Sequence, residues 1–330
     1  MEALLGLLLV PVMGKALWLW LLFVGIVIAL MAFDLGVLHK DDREIEVTES
    51  LWLSGGYIAA GLMFGGWVWW YFGQDLGMAY MTGYLIEKSL SLDNVFVISL
   101  IFGTLAIPRR YQHRVLFWGI LGVIVLRAIM IGLGATLVSQ FDWVMWIFGA
   151  FLLLTGVKML FSGDEHPSLE DNKLLKFLRR RMNVTTELHG ERFFVKQPDP
   201  KNPARLVRFA TPLFLALVMV ETADLVFAVD SVPAIFAITN DPFIVYTSNI
   251  FAILGLRALY FALAAMVHRF SYLKYALSAV LVFIGGKIIY AQFYGKVDPA
   301  ISLSVTAILL AGGVVVSLIK TRKPIPAPAE

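Results

Sequence analysis

Apart from Asp142 at the edge of one, six carboxylates lie in stretches apolar enough to cross a membrane, and five of them fall in two similar segments. The first runs from Glu87 through Asp93 and Asn94 to Val97, and the second from Glu221 through Asp224 to Asp230 and Ser231. The sixth, Asp34, stands near the end of the first apolar stretch. A charged residue at a bilayer centre costs about 2.5–3.5 kcal/mol on insertion scales, so such groups mark ion paths, proton relays or buried ion pairs. The available donors are hard oxygens: these carboxylates, the Asn94 amide and the hydroxyls of Ser91, Thr222 and Ser231. All five histidines lie in connections or at span ends, and there is no cysteine. An oxygen-only site suits Mn, Mg or Ca better than Zn or Cu. Carboxylates not engaged by such an ion could carry protons, which suggests metal/proton exchange.

The spacing constrains how these groups meet. Glu221 and Asp224 are three apart and share a helix face. Asp224 and Asp230, like Glu87 and Asp93, are six apart, about 120° around and about 9 Å along a continuous helix. One ion could be reached by both members of a six-residue pair only if the helix were interrupted. Ser89, Ser91 and Pro233 make interruption of both helices plausible, with unwound carbonyls as further ligands.

The elements that position these residues follow from composition. Of 330 residues 59% are hydrophobic and 15% charged, and the mean hydropathy is +0.79. A soluble domain is about one quarter charged, so the expected class is an all-α polytopic membrane protein. Windows of about 20 apolar residues give nine spans: 16–38, 50–72, 77–103, 113–135, 140–161, 209–238, 243–267, 271–291 and 299–319. Residues 1–13 leave open a short interfacial or re-entrant piece. The division is then 16–72 as N-terminal helices, 77–161, a cytoplasmic connection 162–208, 209–291, a last helix 299–319 and a disordered Pro-rich tail 320–330.

Basic residues outside the spans or at their very ends gather in alternate connections: Lys40 and Arg43, Arg109 to Arg114, the segment Lys173 to Arg208, Arg269 and Lys274, and Lys320 to Lys323. The opposite side holds Lys15 and Lys296 alone. The positive-inside rule places the N-terminus outside and the C-terminus in the cytoplasm. The basic run Arg179 to Arg181 fits anionic lipid. The sequence pI near 9.0 therefore reflects membrane topology and not a nucleic-acid partner. No phosphate-binding loop is present, so enzymatic ATP-driven transport is unsupported, and neither an enzyme nor an organic cofactor is expected.

The two acidic segments belong to an internal repeat. Asp93-Asn94-Val95-Phe96 aligns with Asp224-Leu225-Val226-Phe227 at an offset of 131, Leu126-Arg127-Ala128 with Leu256-Arg257-Ala258 at 130, and Gly156 and Lys158 with Gly285 and Lys287 at 129. Spans 3–5 and 6–8 are thus two three-helix units, and an odd number of crossings makes them inverted, an architecture of secondary transporters. The repeated bases Arg127, Lys158, Arg257 and Lys287 read as supporting intramembrane charges that brace the acids or occupy the site without metal. Asp34 reads as an entrance or capping residue. The units are unequal in charge: Glu221 and Asp230 align with Leu90 and Ser99, and Glu87 with Val218.

Four stretches resemble the TerC family: Glu87-Lys88-Ser89 with Leu92 to Val97, Phe148 to Lys158, Phe227 to Ala237, and Thr247 to Ala258. The resemblance extends over nearly the whole chain. It implies a multi-pass bacterial inner-membrane protein linked to Mn(II) export, and it assigns metal and proton handling to Glu87, Asp93, Asn94, Glu221, Asp224 and Asp230. The expected partners are a divalent cation, protons and the bilayer, with a homo-oligomer possible. The other reading is a membrane-embedded stress-response, redox or interaction protein whose buried charges form a structural network. The absence of cysteine argues against a thiol-based form of it.

Overall fold

The computed structural model describes residues 6, 8–38, 47–141, 143–161, 173–199, 202–263, 272–295 and 297–320. Eleven helices are described: α1 Leu17–Leu38, α2 Val47–Phe72, α3 Gln74–Thr104, α4 Arg109–Gln140, α5 Val144–Phe161, α6 Lys173–Arg181, α7 Pro212–Phe236, α8 Pro242–Ile253, α9 Leu256–Leu263, α10 Leu273–Tyr294 and α11 Pro299–Lys320. Seven segments are long and apolar enough to cross a membrane: α2, α4, α5, α7, α8 with α9, α10 and α11. Helix α1 contributes a shorter apolar stretch, Leu17–Phe33. Helix α3, at 31 residues, is about 46 Å long but carries Glu87, Lys88 and Asp93 in its middle. The chain is an all-α polytopic membrane protein.

Helix ends follow local chemistry. Gly73 turns α2 into α3 at φ 93° and ψ 175°, a region essentially reserved for glycine. Pro212 and Pro242 stand in the first turns of α7 and α8, where their missing N–H costs nothing. Asp241 caps α8 by accepting from the Phe243 and Ile244 N–H groups at 3.0 and 3.3 Å. Its other oxygen meets Lys15 Nζ at 2.8 Å.

Helix α3 runs through the middle, packed on α2, α7, α8 and α11, while α4 packs on α7 and α8, and α5 on α10. Exposed Trp70, Phe161 and Ile308 belong to the outward apolar surface such a bundle turns to lipid.

Several expectations need correction. The connection read as a loop, 162–208, contains α6 and an antiparallel hairpin, β3 Phe194–Asp199 with β4 Asn202–Ala210. Charges along it hid the alternation that buries Val195 and Phe209, while Leu175 of α6 inserts into the core beneath α3, α4 and α7. The span expected from 209 therefore begins as a helix at Pro212. A second small hairpin, β1 Pro11–Val12 with β2 Lys15–Ala16, precedes α1.

The interruptions expected in α3 and α7 are absent: both helices are continuous. Ser89 and Ser91 direct their hydroxyls to Leu85 and Lys88 carbonyls of α3 at 2.8 and 2.6 Å, which leaves the backbone ladder intact. Pro233 lies in the last turn of α7, where it removes one bond of the ladder but the helix still runs on to Phe236. The break falls instead in the span read as continuous from 243 to 267, between α8 and α9 at Leu254 and Gly255. A Cβ at Gly255 would stand 2.8 Å from Tyr57 Cβ, so glycine permits close approach of α2 there. Lys88 Nζ donates to the Ala252 carbonyl at 3.0 Å, supplying a donor where the interrupted helix leaves one out. The tail beyond 320 and residues 264–271 lie outside the described residues.

Candidate intramembrane ion site

Four helices converge on one guanidinium. Arg127 of α4 is 0% exposed, and around it Glu87 of α3 is 1%, Asp224 of α7 is 5% and Asn249 of α8 is 0% exposed. Arg127 Nη1 meets Glu87 Oε1 at 2.8 Å. Its Nε and Nη2 grip Asp224 Oδ2 and Oδ1, each at 3.1 Å, the bidentate fork that guanidinium and carboxylate geometries share. Nη1 also donates to Ser231 Oγ at 2.7 Å and to Asn249 Oδ1 at 3.4 Å. Asn249 Nδ2 donates to Glu87 Oε2 at 3.0 Å, and Asn94 Nδ2 to Asp224 Oδ1 at 3.4 Å. One guanidinium faces two carboxylates, so the cluster carries a surplus negative charge if all three are ionised.

Among the described residues, two oxygens near this cluster have no hydrogen-bond partner. Asn94 Oδ1 is buried and unpaired, and so is Glu221 Oε2, one helical turn before Asp224. The Glu221 carboxyl is seated on Gly122 of α4, where a Cβ would overlap its oxygens and Cδ. Unpaired buried polar atoms are uncommon and costly. Beside Asn94 and Asp224 is a cavity of about 20 Å³, lined also by Gly119, Val123, Phe227 and Arg257 among others. That is room for a water-sized species. Its walls come from the halves of α3, α4 and α7 nearer the β3–β4 hairpin, so it lies on that side of Arg127.

The expected residues are thus divided. Glu87, Asn94, Asp224 and Arg127 come together, and Glu221 is one turn away. Arg257 is 2% exposed and lines the cavity. Lys158 is exposed in the last turn of α5, and neither it nor Lys287 pairs with Glu87, Glu221 or Asp224. The backbones of Asp34, Asp93 and Asp230 lie in α1, α3 and α7, but their side chains are outside the described residues. Thr222 and Ser91 spend their hydroxyl protons on carbonyls of their own helices, whereas Ser231 serves Arg127. Among the described residues no three acidic or histidine side chains form a ready metal cluster. Asn249 and Gly122 were not singled out from sequence. An amide in the middle of an apolar span was the available signal for the first, and nothing local marked the second.

The sequence profile of the family described as integral membrane protein TerC matches residues 72–324. A membrane protein of Myxococcus xanthus, described as uncharacterized, is 49% identical over 304 residues, covering 92% of this chain and 93% of that protein. One from Rickettsia bellii is 46% identical over 301 residues, 91% of this chain and 97% of its own length. A protein of Escherichia coli K12, provisionally described as the membrane-bound redox modulator Alx, is 45% identical over 296 residues, 87% of this chain and 90% of its own. No solved structure matches. With the profile spanning most of the chain and relatives this similar along nearly their whole length, the chain belongs to the TerC family of integral membrane proteins.

Proposed function

We propose that this protein is a secondary transporter that exports a divalent cation, Mn(II), in exchange for protons through the carboxylates of α3 and α7. The observation that carries the reading is the junction of Asp224, the unpaired Asn94 oxygen and a water-sized cavity inside a membrane bundle. A hard, oxygen-only donor set of this kind suits Mn(II) and excludes soft-ligand selectivity. Asp93 and Asp230 join the site on the sequence reading, with Glu221 as a further ligand or proton carrier. The bacterial inner membrane, nine crossings, an external N-terminus and a cytoplasmic C-terminus complete the proposal.

Its architecture is the inverted repeat. Support comes from the α5–α10 contact, where an added Cβ on Gly156 would stand 2.8 Å from Val282 Cγ2 and 2.9 Å from the Ser278 carbonyl. One on Gly285 would stand 2.8 Å from the Gly149 carbonyl and the Leu153 nitrogen. An offset of 129 turns Gly149, Leu153 and Gly156 into Ser278, Val282 and Gly285, so the two contacts are images of each other. Likewise α3 packs on α8 while α4 packs on α7. Gly156→Ala and Gly285→Ala are expected to destabilise equally, by about 1–3 kcal/mol each. The double variant should fall short of the sum, because one separation of the helices relieves both. Thermal unfolding in detergent checks this, and a neutral member of the pair would break the symmetry.

A second reading has its own observation. Arg127 pairs with both Glu87 and Asp224, as a purely structural network would. The relatives' redox description fits that reading more loosely, since this chain has no cysteine. Purified protein in proteoliposomes separates the two: Mn(II) flux above protein-free vesicles, accelerated by an opposing proton gradient, supports transport. No flux under any imposed gradient leaves the network reading.

Gly122 gives a more local test. Gly122→Ala puts a methyl group where the Glu221 carboxyl sits. Because the displaced atoms end a flexible side chain, the fold should survive while Mn(II) flux falls at least about tenfold, as for disturbed metal-site neighbours. Unchanged flux would remove Glu221 from the path.

A further inference from the structure

We propose that Arg127 is a tethered cation that competes with the transported ion for Asp224, so that loading the site means handing Asp224 from the guanidinium to the divalent cation. The inference rests on the transport reading above and adds what the empty site does. Both Asp224 oxygens are engaged by Arg127, and the two Glu87 oxygens by Arg127 and Asn249. While both its oxygens stay in the guanidinium fork, Asp224 offers a divalent ion only a neutralised carboxylate, and the two cations repel across it in a low-dielectric interior.

The surroundings provide for the exchange. The cavity opens on the hairpin side of Asp224, with Asn94 in its wall and Glu221 one turn away. An ion arriving there meets Asp224 from the side opposite Ser231. Arg127 keeps three contacts away from the cavity: Glu87 at 2.8 Å, Ser231 at 2.7 Å and Asn249 at 3.4 Å. It can release Asp224 without losing all its partners. Charge then balances in two separate groups: the dication with ionised Asp224 and Glu221, and Arg127 with Glu87. As Arg127 swings back to Asp224 it neutralises the carboxylate and displaces the ion, which drives release.

The two possible roles of Arg127 predict opposite signs. A brace, once removed, leaves a poorer site; a competitor, once weakened, leaves a tighter one. Arg127→Lys keeps the charge but loses the fork, and Arg127→Met removes both. Radiolabelled Mn(II) binding to purified full-length protein, with melting temperature measured alongside, is expected to tighten in both variants, by at least about tenfold in Arg127→Met, while vesicle flux slows. If Arg127→Met does not fold, Arg127→Lys decides. If neither folds, Ser231→Ala decides, since loss of the guanidinium's retreat contact should weaken binding. Folded Arg127 variants that bind no tighter than wild type overturn the proposal, as does unchanged binding in Ser231→Ala. Wild-type protein that binds no Mn(II) overturns the transport reading itself.

Discussion

Asp224→Asn should abolish Mn(II) transport while leaving the bundle folded. The substitution keeps the size of the side chain and one oxygen acceptor for the Arg127 fork, and Arg127 retains Glu87 at 2.8 Å. What disappears is the one ionised group shared by the cluster and the cavity. Even disturbing a group that only hydrogen-bonds a metal ligand costs about 10–100-fold in metal affinity or activity, so loss of a direct ligand should reach at least the upper part of that range. Flux into proteoliposomes, with melting temperature as the control for folding, checks it. Wild-type flux in the folded variant would remove Asp224 from the ion path.

Glu87→Ala should act mainly on stability. It leaves Asn249 Nδ2 without its acceptor and Arg127 Nη1 with only the neutral Ser231 and Asn249 oxygens, in a region where both side chains are fully buried. Arg127 keeps Asp224 as its charge partner, so the loss comes from the buried donors: about 1–3 kcal/mol for each one left unsatisfied, a large share of a typical net stability. Glu87→Gln keeps an acceptor for both donors and should lose clearly less. Thermal unfolding in detergent distinguishes them, and an unchanged midpoint for Glu87→Ala would mean that the cluster holds nothing together.

The membrane class and most helices were legible because about 20 apolar residues in a row leave few alternatives. The acids were legible as candidates because charge is rare there. Their pairing was not. That Glu87, Arg127 and Asp224 form one cluster depends on α3, α4 and α7 facing one another, which no spacing along a single helix encodes. The six-residue spacings suggested that neighbours on one helix share an ion, and so suggested breaks in α3 and α7. Among the described side chains the structure instead brings together one acid from each helix, Glu87 and Asp224, and it leaves both helices whole. Serine was a poor guide because its hydroxyl can return to its own helix, as Ser89 and Ser91 do. Gly255, just after Leu254, marks the real break, but its need for glycine arises from Tyr57 on another helix. The hairpin at 194–210 was obscured because its exposed basic residues matched the charge pattern of a membrane-flanking loop.

Anomalous diffraction at the manganese edge from crystals of the full chain grown with Mn(II) tests the central claim most directly. The account predicts a peak beside the Asn94–Asp224 cavity, about 2.0–2.6 Å from an Asp224 oxygen, the distance hard divalent ions keep from oxygen ligands. Mn(II) found only outside the helical bundle, with Arg127 still clasping Asp224, would contradict it.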